Sequence, residues 1–354
     1  MAAANPLSRP PPNAVTNLPV DHEWLARAPL EEAIDPDLPI VDSHHHLGEG
    51  PGGRYLVPDL MRDIRDGHNV IATVNVEGNH FFRTHGPEEL RGAGETEIIV
   101  SMTDCRDVDT IRVCAGIVGY ADFFVGARVD ELLELHEQLG RGRFVGVRQL
   151  TIWDESEAVR MYQWPPKRAL SAGMMADAKF REGFAKLGPR NLTFDVTAFH
   201  TQLGECYDLA RAFPDTSIII DHLGCLLRVG PYAGKDEAIF ADWKAGLARL
   251  ASLDNVTVKA GGLGMRMCGF DFRSRAAPPG SAELAALWAP FIETAIDLFG
   301  PERTMFESNF PVDKGYFSYR TCWNALKRVT ANASDSEKSA LFAGTAIKVY
   351  GLAL

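Results

Sequence analysis

A chain of 354 residues, 46% of them hydrophobic, is long enough to bury one large core, and a single α/β barrel with insertions fits it as well as two domains do. Its 36 Lys and Arg against 47 Asp and Glu leave a net charge of -11, which argues against a nucleic-acid or anionic-membrane surface, since both reward a basic face. The six cysteines (Cys105, Cys114, Cys206, Cys225, Cys268, Cys322) lie far apart with no C-x-x-C spacing, so they read as core thiols of a reduced, cytoplasmic protein rather than a disulfide framework.

The first residues, rich in Pro, Ala and Asn, lack the basic and apolar regions of a secretory signal. Residues 1–20 read as a surface arm and 21–36 as a short helical lead-in around Trp24 and Leu25. Such an arm can reach a neighbouring subunit, which leaves a homo-oligomer open. We therefore set residues 1–37 apart as arm and lead-in, and assign 38–354 to one domain. No apolar run approaches the ~18 residues of a membrane span.

From Leu38 onward the chain alternates β-branched runs with amphipathic stretches through eight rounds. The first strand, PIVDSH, precedes a helix near Pro58–Asp66. The second, NVIATVNVE, ends at Glu77 and is followed by a helix from Gly94 to Thr103. TIRVCAGIVGY forms the third, and the next helix carries Leu132, Leu133, Leu135 and Leu139 on one face. The fourth is FVGVRQL. A long connection from Thr151 to Met175, holding Trp153, Tyr162, Trp164, Pro165 and Pro166, is a candidate lid or pocket wall. LTFDVTAF, TSIIIDHLG, NVTVKAGGL and RTMFESNFP supply strands five to eight. A final helix spans SDSEKSALFAGTAIKVYGL, with Ser334 and Glu337 at capping-box spacing. Eight strand-then-helix rounds point to a (β/α)8 TIM barrel, a single domain with an N-terminal arm and a loop insertion after the fourth strand. A doubly wound sheet is the alternative, but the first strand ends in histidines where that fold places a glycine-rich turn.

Barrel chemistry sits at the C-terminal ends of the strands. Those ends carry His44 and His46, Glu77, Tyr120 and Asp122, Arg148, His200, Asp221 and His222, Lys259, and then Glu307, Asn309 and Asp313. Strand alternation turns His44 and His46 to one face, about 6.5 Å apart, and His45 to the other. Four of the ten histidines thus fall at three strand ends. Converging imidazoles suit one divalent metal, zinc above others, with an open position for water. A metal-free site is the alternative.

The ordered set Asp42-x-His44-x-His46, AGIVGYAD (115–122), F-x-G-V-R (144–148), DHLG (221–224), N-V-x-x-K (255–259) and MFESNFPVD (305–313) resembles the amidohydrolase superfamily. The branch it resembles is the amidohydrolase-related group of sugar lactonases and 2-pyrone-4,6-dicarboxylate lactonase. The resemblance implies a barrel hydrolase that opens a lactone or small cyclic ester by water attack. It implies His44 and His46 as metal ligands, and His200 and His222 as further ligands or carbonyl polarisers. It also implies a strand-eight Asp as general base, yet Asn309 stands at that position, and an amide takes no proton near neutral pH. Three arrangements answer this: Asp313 or Glu77 acts as base while Asn309 orients water or substrate, a metal hydroxide needs no carboxylate base, or a metal-free site polarises the carbonyl with its histidines.

Arg148 is a candidate clamp for a substrate carboxylate, or else an ion-pair partner of a neighbouring acid. Tyr120 and Trp153 are candidate walls for a small-molecule substrate, and Lys259 is expected to serve electrostatics or structure. Two other classes remain open on the same barrel: a metal-dependent decarboxylase or hydratase, and a non-catalytic ligand-binding protein.

Overall fold

A computed structural model describes residues 19–50, 53–104, 111–160 and 168–354. Residues 1–18 of the arm, Cys105, and Tyr162, Trp164, Pro165 and Pro166 of the long connection lie outside the described residues. Eight parallel strands run in chain order around a barrel: β1 (Ile40–His45), β2 (Val70–Val76), β3 (Arg112–Tyr120), β4 (Phe144–Arg148), β5 (Thr193–Val196), β6 (Ile218–Ile220), β7 (Val256–Ala260) and β8 (Thr304–Phe306). Neighbours pair continuously from β1 to β8. This is the (β/α)8 barrel that the eight rounds predict.

The last seam closes just beyond β8, where the chain has left regular strand geometry. Asn309 N–H donates to His44 O at 3.0 Å and His46 N–H to Phe310 O at 2.8 Å. Asp42 completes the seam, accepting from Ser308 N–H at 2.9 Å, Ser308 Oγ–H at 2.6 Å and Tyr319 O–H at 3.0 Å. Burial raises the Asp42 carboxyl to about 6 against those donors. The first acid of the D-x-H-x-H run therefore closes the barrel instead of facing its mouth. The eighth strand ends at Phe306, shorter than RTMFESNFP suggests. Asn309 adopts φ +55°, a left-handed backbone that Asn tolerates, and Phe310 still bridges to His45.

Side-chain alternation layers the barrel interior. Val41, Ala72, Val74, Val118, Ile219 and Met305 form an apolar floor together with Ala343, Ala346, Tyr350 and Leu352 of the C-terminal segment. That segment is not one continuous helix. It runs as Asp335–Ser339, a widened turn at Ala340–Gly344, and Thr345–Tyr350. Its start is fixed by the expected capping box: Ser334 Oγ accepts from Glu337 N–H and Glu337 Oε2 from Ser334 N–H at 2.7 Å.

The helices expected near 58–66, from Gly94 to Thr103 and around Leu132–Leu139 form at Val57–Ile64, Ala93–Thr103 and Val129–Gly140, and further helices run at Leu203–Ala212, Asp236–Ala251, Ser281–Phe299 and Tyr319–Val329. The lead-in is a single turn, His22–Leu25, with Trp24 buried and its Nε1–H donating to Arg275 O at 2.9 Å. Residues 31–35 are then strapped to the Tyr319–Val329 helix. Asn324 and Lys327 donate to the Glu32, Ile34 and Asp35 carbonyls at 2.8–2.9 Å. Five free cysteines are buried. Among the described residues no helix is long and apolar enough to cross a membrane.

Candidate active site

Above the apolar floor the barrel interior turns polar. His44 lies at its centre: its Nε2 is 3.2 Å from His46 Nε2 and 3.4 Å from Arg148 Nη1. Its Nδ1 is 3.1 Å from Lys259 Nζ, 3.2 Å from Glu307 Oε2 and 3.5 Å from Asp221 Oδ1. The two histidines share a face as strand alternation demands. His45 points the other way, onto Thr73 Oγ1 at 2.9 Å.

His222 reaches the same space because the chain after β6 stops alternating. His222 and Leu223 both adopt positive φ, +53° and +56°, which swings His222 to the side that Asp221 already faces. His222 Nδ1 sits 2.8 Å from Glu307 Oε1. Gly261 and Gly262 of the β7 loop lie against this pair. A Cβ on Gly261 would fall 2.4 Å from Glu307 Cγ, and one on Gly262, whose φ is +66°, 2.5 Å from His222 Nδ1. The sequence AGGL is thus the cradle of the ion pair.

Burial opposes every charge here, and the pairs decide the outcome. Burial works against a cationic His222, but Glu307 outweighs it and raises the imidazole pKa. The same pairing brings Glu307 down to about 2. Asp221 is held well below its usual range, since Lys259 and His44 overcome its desolvation. Burial and Lys259 lower His44, and burial and Arg148 lower His46. Those two rings are neutral at pH 7.

Two tautomers of His44 satisfy this geometry. His46 Nδ1 faces the Val76 carbonyl at 2.8 Å, so it carries the proton and leaves the Nε2 lone pair toward His44. In one state His44 Nε2–H donates to that lone pair while Nδ1 accepts from Lys259. In the other, Nδ1–H turns to Glu307 and Asp221, and the two Nε2 lone pairs converge on one point.

The donor set fits a divalent ion. One ligand atom from each of His44, Asp221 and His222 lies within 4.8 Å of the others. Asp221 Oδ1 and Glu307 Oε2 are buried with no aligned hydrogen bond. Nitrogens 3.2 Å apart match the roughly 3.3 Å edge of a tetrahedral zinc site with bonds of about 2.0–2.1 Å. Four buried carboxylates (Glu77, Asp195, Asp221, Glu307) face two permanent cations (Lys259, Arg148), an excess of two negative charges with His222 neutral and of one with His222 protonated against Glu307.

The remaining candidates divide. Asp313 is 1% exposed and does not pair with Lys314, which turns instead to Asp63 at 2.6 Å. Asp313 accepts from Asn309 Nδ2–H at 3.1 Å and from Gly264 N–H at 3.0 Å, and burial lifts its carboxyl to about 7 despite those donors. Asn309 Oδ1 is buried without a partner. Arg148 is engaged by Glu77: its Nε–H donates to Oε1 at 2.8 Å and an Nη2–H to the Glu77 carbonyl, leaving Nη1 toward His44. Glu77 Oε2 accepts from Asn79 N–H at 3.0 Å. Arg148 is thereby held by its neighbour and presents one nitrogen to the centre.

His200 stands apart from the three-residue ligand group. Its Nδ1 accepts from Leu227 N–H at 3.1 Å, its ring meets Tyr232 edge-on at 5.6 Å, and burial lowers it to about 4. Tyr120 packs on Phe82 and borders a cavity of about 970 Å³ lined also by Arg91, Asp122, Arg128 and Arg168. Trp153 is half-buried and tied by its N–H to Gln202 Oε1 at 2.9 Å.

Sequence reasoning placed Asp221, Lys259 and Glu307 at strand ends, gave Lys259 an electrostatic or structural duty, and did not single out Asp195. Asp195 was hidden as one acid inside an apolar strand, and its partner Lys259 follows 64 residues later. The available signal was alternation, which puts Asp195, Lys259 and Glu307 on inward positions.

Comparison with known proteins identifies the family. A family model described as amidohydrolase matches residues 41–352. The chain is 31% identical over 336 residues to the uncharacterized protein y4mH of Sinorhizobium fredii, covering 89% of this chain and 99% of that one. It is 26% identical over 330 residues to L-fucono-1,5-lactonase of Burkholderia multivorans, covering 88% and 96%. A crystal structure of an amidohydrolase from Burkholderia multivorans with bound HEPES superposes at TM-score 0.67 and 25% identity, over 89% of this chain and 99% of that one. A second crystal form, with bound zinc, gives TM-score 0.66 and 24% identity over the same shares. With its matched span running from β1 to the C-terminal segment, this chain belongs to the amidohydrolase family.

Proposed function

We propose that the protein is a hydrolase that opens a lactone or small cyclic ester by water attack on the ring carbonyl. The observation that carries this reading is the buried His222–Glu307 pair beside a neutral His44–His46 pair. One imidazole is poised to donate a proton, and two present lone pairs in the same dry space. The sequence similarity to a fuconolactonase supports the substrate class.

In the metal-free form of this reading His222, whose imidazole pKa is raised by Glu307, offers its Nε2–H to the carbonyl or leaving oxygen, where charge develops in the transition state; with a metal bound, that Nε2 would instead be a ligand. Asp313 is the candidate base, since a carboxyl near 7 exists half-ionised at neutral pH, and Asn309 Nδ2 holds its Oδ1 in place. Glu77 is committed to Arg148 and Asn79, which argues against it as base. Burial and Lys259 keep His44 neutral, and burial and Arg148 do the same for His46. His44, Asp221 and His222, with His46 adjacent, are the residues that would hold a divalent metal, zinc above others. When bound, that ion supplies positive charge to polarise the substrate carbonyl. Tyr120 and Trp153 are assigned to the substrate side of the site, and His200, held by Leu227 N–H and outside the three-residue ligand group, is left as a further candidate.

The test is a panel of sugar and pyrone lactones followed by proton release in a pH-stat, on wild type and His222→Ala. Ring opening that needs His222 supports the proposal. Release of CO2 from an aromatic acid, with no lactone opened, moves the assignment to a lyase.

A further inference from the structure

The active centre is anchored from below by a residue of the C-terminal segment. Tyr350 ends the Thr345–Tyr350 helix, and its ring packs in the apolar floor with Val41, Ile219 and Met305. Its hydroxyl leaves that floor and donates to Asp195 Oδ2 at 2.6 Å. The same oxygen accepts from Lys259 Nζ at 2.5 Å, and the ammonium stands 5.6 Å from the Tyr350 ring centroid. Nζ continues upward to His44 Nδ1 and Asp221 Oδ1, each at 3.1 Å. Asp195 and Lys259 are fully buried.

We propose that Tyr350 is a positioning residue: its hydroxyl fixes Asp195, and through it the ammonium of Lys259 against His44 and Asp221. The statement rests on the reading that His44 and Asp221 belong to the active centre. A lysine has a flexible four-carbon stem, so the place of its ammonium is set by its partners. Asp195 is the partner on the floor side, and its other oxygen has only a 3.4 Å contact from Thr193 Oγ1. The Tyr350 O–H is therefore the short bond that stops Asp195 from rotating with Lys259. Phenylalanine would fill the floor equally well, so filling space does not explain the hydroxyl. The C-terminal segment thus closes the barrel and also sets the alignment of His44 from beneath.

The test is Tyr350→Phe in the full chain, with Leu352→Ala as a control that thins the same floor without touching Asp195. Two measurements are paired: kcat and KM for ring opening, and the side-chain ammonium resonance of Lys259 in nitrogen-15 lysine-labelled protein. That resonance is identified by its loss in Lys259→Met. The proposal expects Tyr350→Phe to lower kcat about tenfold with KM nearly unchanged, and to shift or broaden the Lys259 signal. Leu352→Ala should lower the unfolding midpoint and leave both readouts in place. An unmoved Lys259 signal with unchanged kcat in Tyr350→Phe overturns the proposal. So does an equal loss of kcat in Leu352→Ala, which would make the effect one of packing. If the wild type opens no lactone, that failure belongs to the functional reading, and the ammonium signal alone decides the positioning role.

Discussion

The two sides of the barrel mouth are built on opposite principles. The side formed by β1 and β5–β8 is dry and dense in charge: His44, Asp195, Asp221, Lys259 and Glu307 are all fully buried, and each is fixed by another. The side formed by the loops after β2–β4 is open beyond the buried Glu77–Arg148 pair. Its charges pair at the rim, as Arg168 does with Asp122 at 2.8 Å and Arg128 with Glu89 at 3.5 Å, around the 970 Å³ cavity beside Tyr120. Buried pairs hold their geometry because separating them leaves an unpaired charge in a dry interior, whereas rim pairs exchange with water at little cost. The proposed function puts chemistry on the first side and recognition on the second, and substitutions can break that division at graded strength.

The largest effect should come from the dry side. Replacing His222 with Ala removes the donor and leaves Glu307 unpaired, and turnover should fall roughly 10³-fold in steady-state assays. Next comes Lys259→Met, which leaves Asp195 and Asp221 facing each other without their cation. Urea unfolding should show a loss of about 3–5 kcal/mol, and a loss below 1 kcal/mol would contradict the picture of an interlocked charge layer.

A third effect lies in pH. Asp313 is raised to about 7 in the folded protein, so its protonated form is the one that folding favours. Its contribution to stability is full below the unfolded carboxyl pKa near 4 and is lost as pH rises through about 7. Activity should run the opposite way, rising toward half its plateau near pH 7 as the base ionises. Asp313→Asn should remove both trends. Asn309→Asp sets a second carboxylate beside Asp313, and the activity limb should move to higher pH.

The smallest effect belongs to the open side. Arg168→Ala breaks an exposed ion pair, so stability should change by about 1 kcal/mol or less. Any change in turnover should appear in KM rather than kcat.

Much of this arrangement was legible in the chain because period-two alternation is a strong rule. It placed His44 and His46 on one face, while β-branched runs set the eight strands and put Arg148 at the end of the fourth; Asp313 lies in a separate turn seven residues beyond the eighth. Alternation failed where the backbone leaves the strand. The positive φ values at His222 and Leu223 bring neighbouring residues Asp221 and His222 to one side, which no alternation rule foresees. The Asn309 turn likewise hands the pairing role to Glu307, two positions earlier, which the resemblance to an Asp at strand eight obscured. His200 was placed by its position after β5, yet the turn His200–Gln202 aims its ring at Tyr232 and its Nδ1 at the backbone of Leu227. Histidine itself is an ambiguous signal. His136 is also buried, held by Thr96 Oγ1 and the Tyr120 carbonyl and stacked on Phe144, and serves packing alone.

The central claim, that the dry side directs water onto a ring carbonyl, is tested most directly by running the reaction in oxygen-18 water and weighing the product. The account predicts a ring-opened acid carrying one labelled oxygen in its new carboxylate, formed by the wild type and not by His222→Ala above the uncatalysed rate. A product that has lost CO2, or one that gains no label, would contradict it.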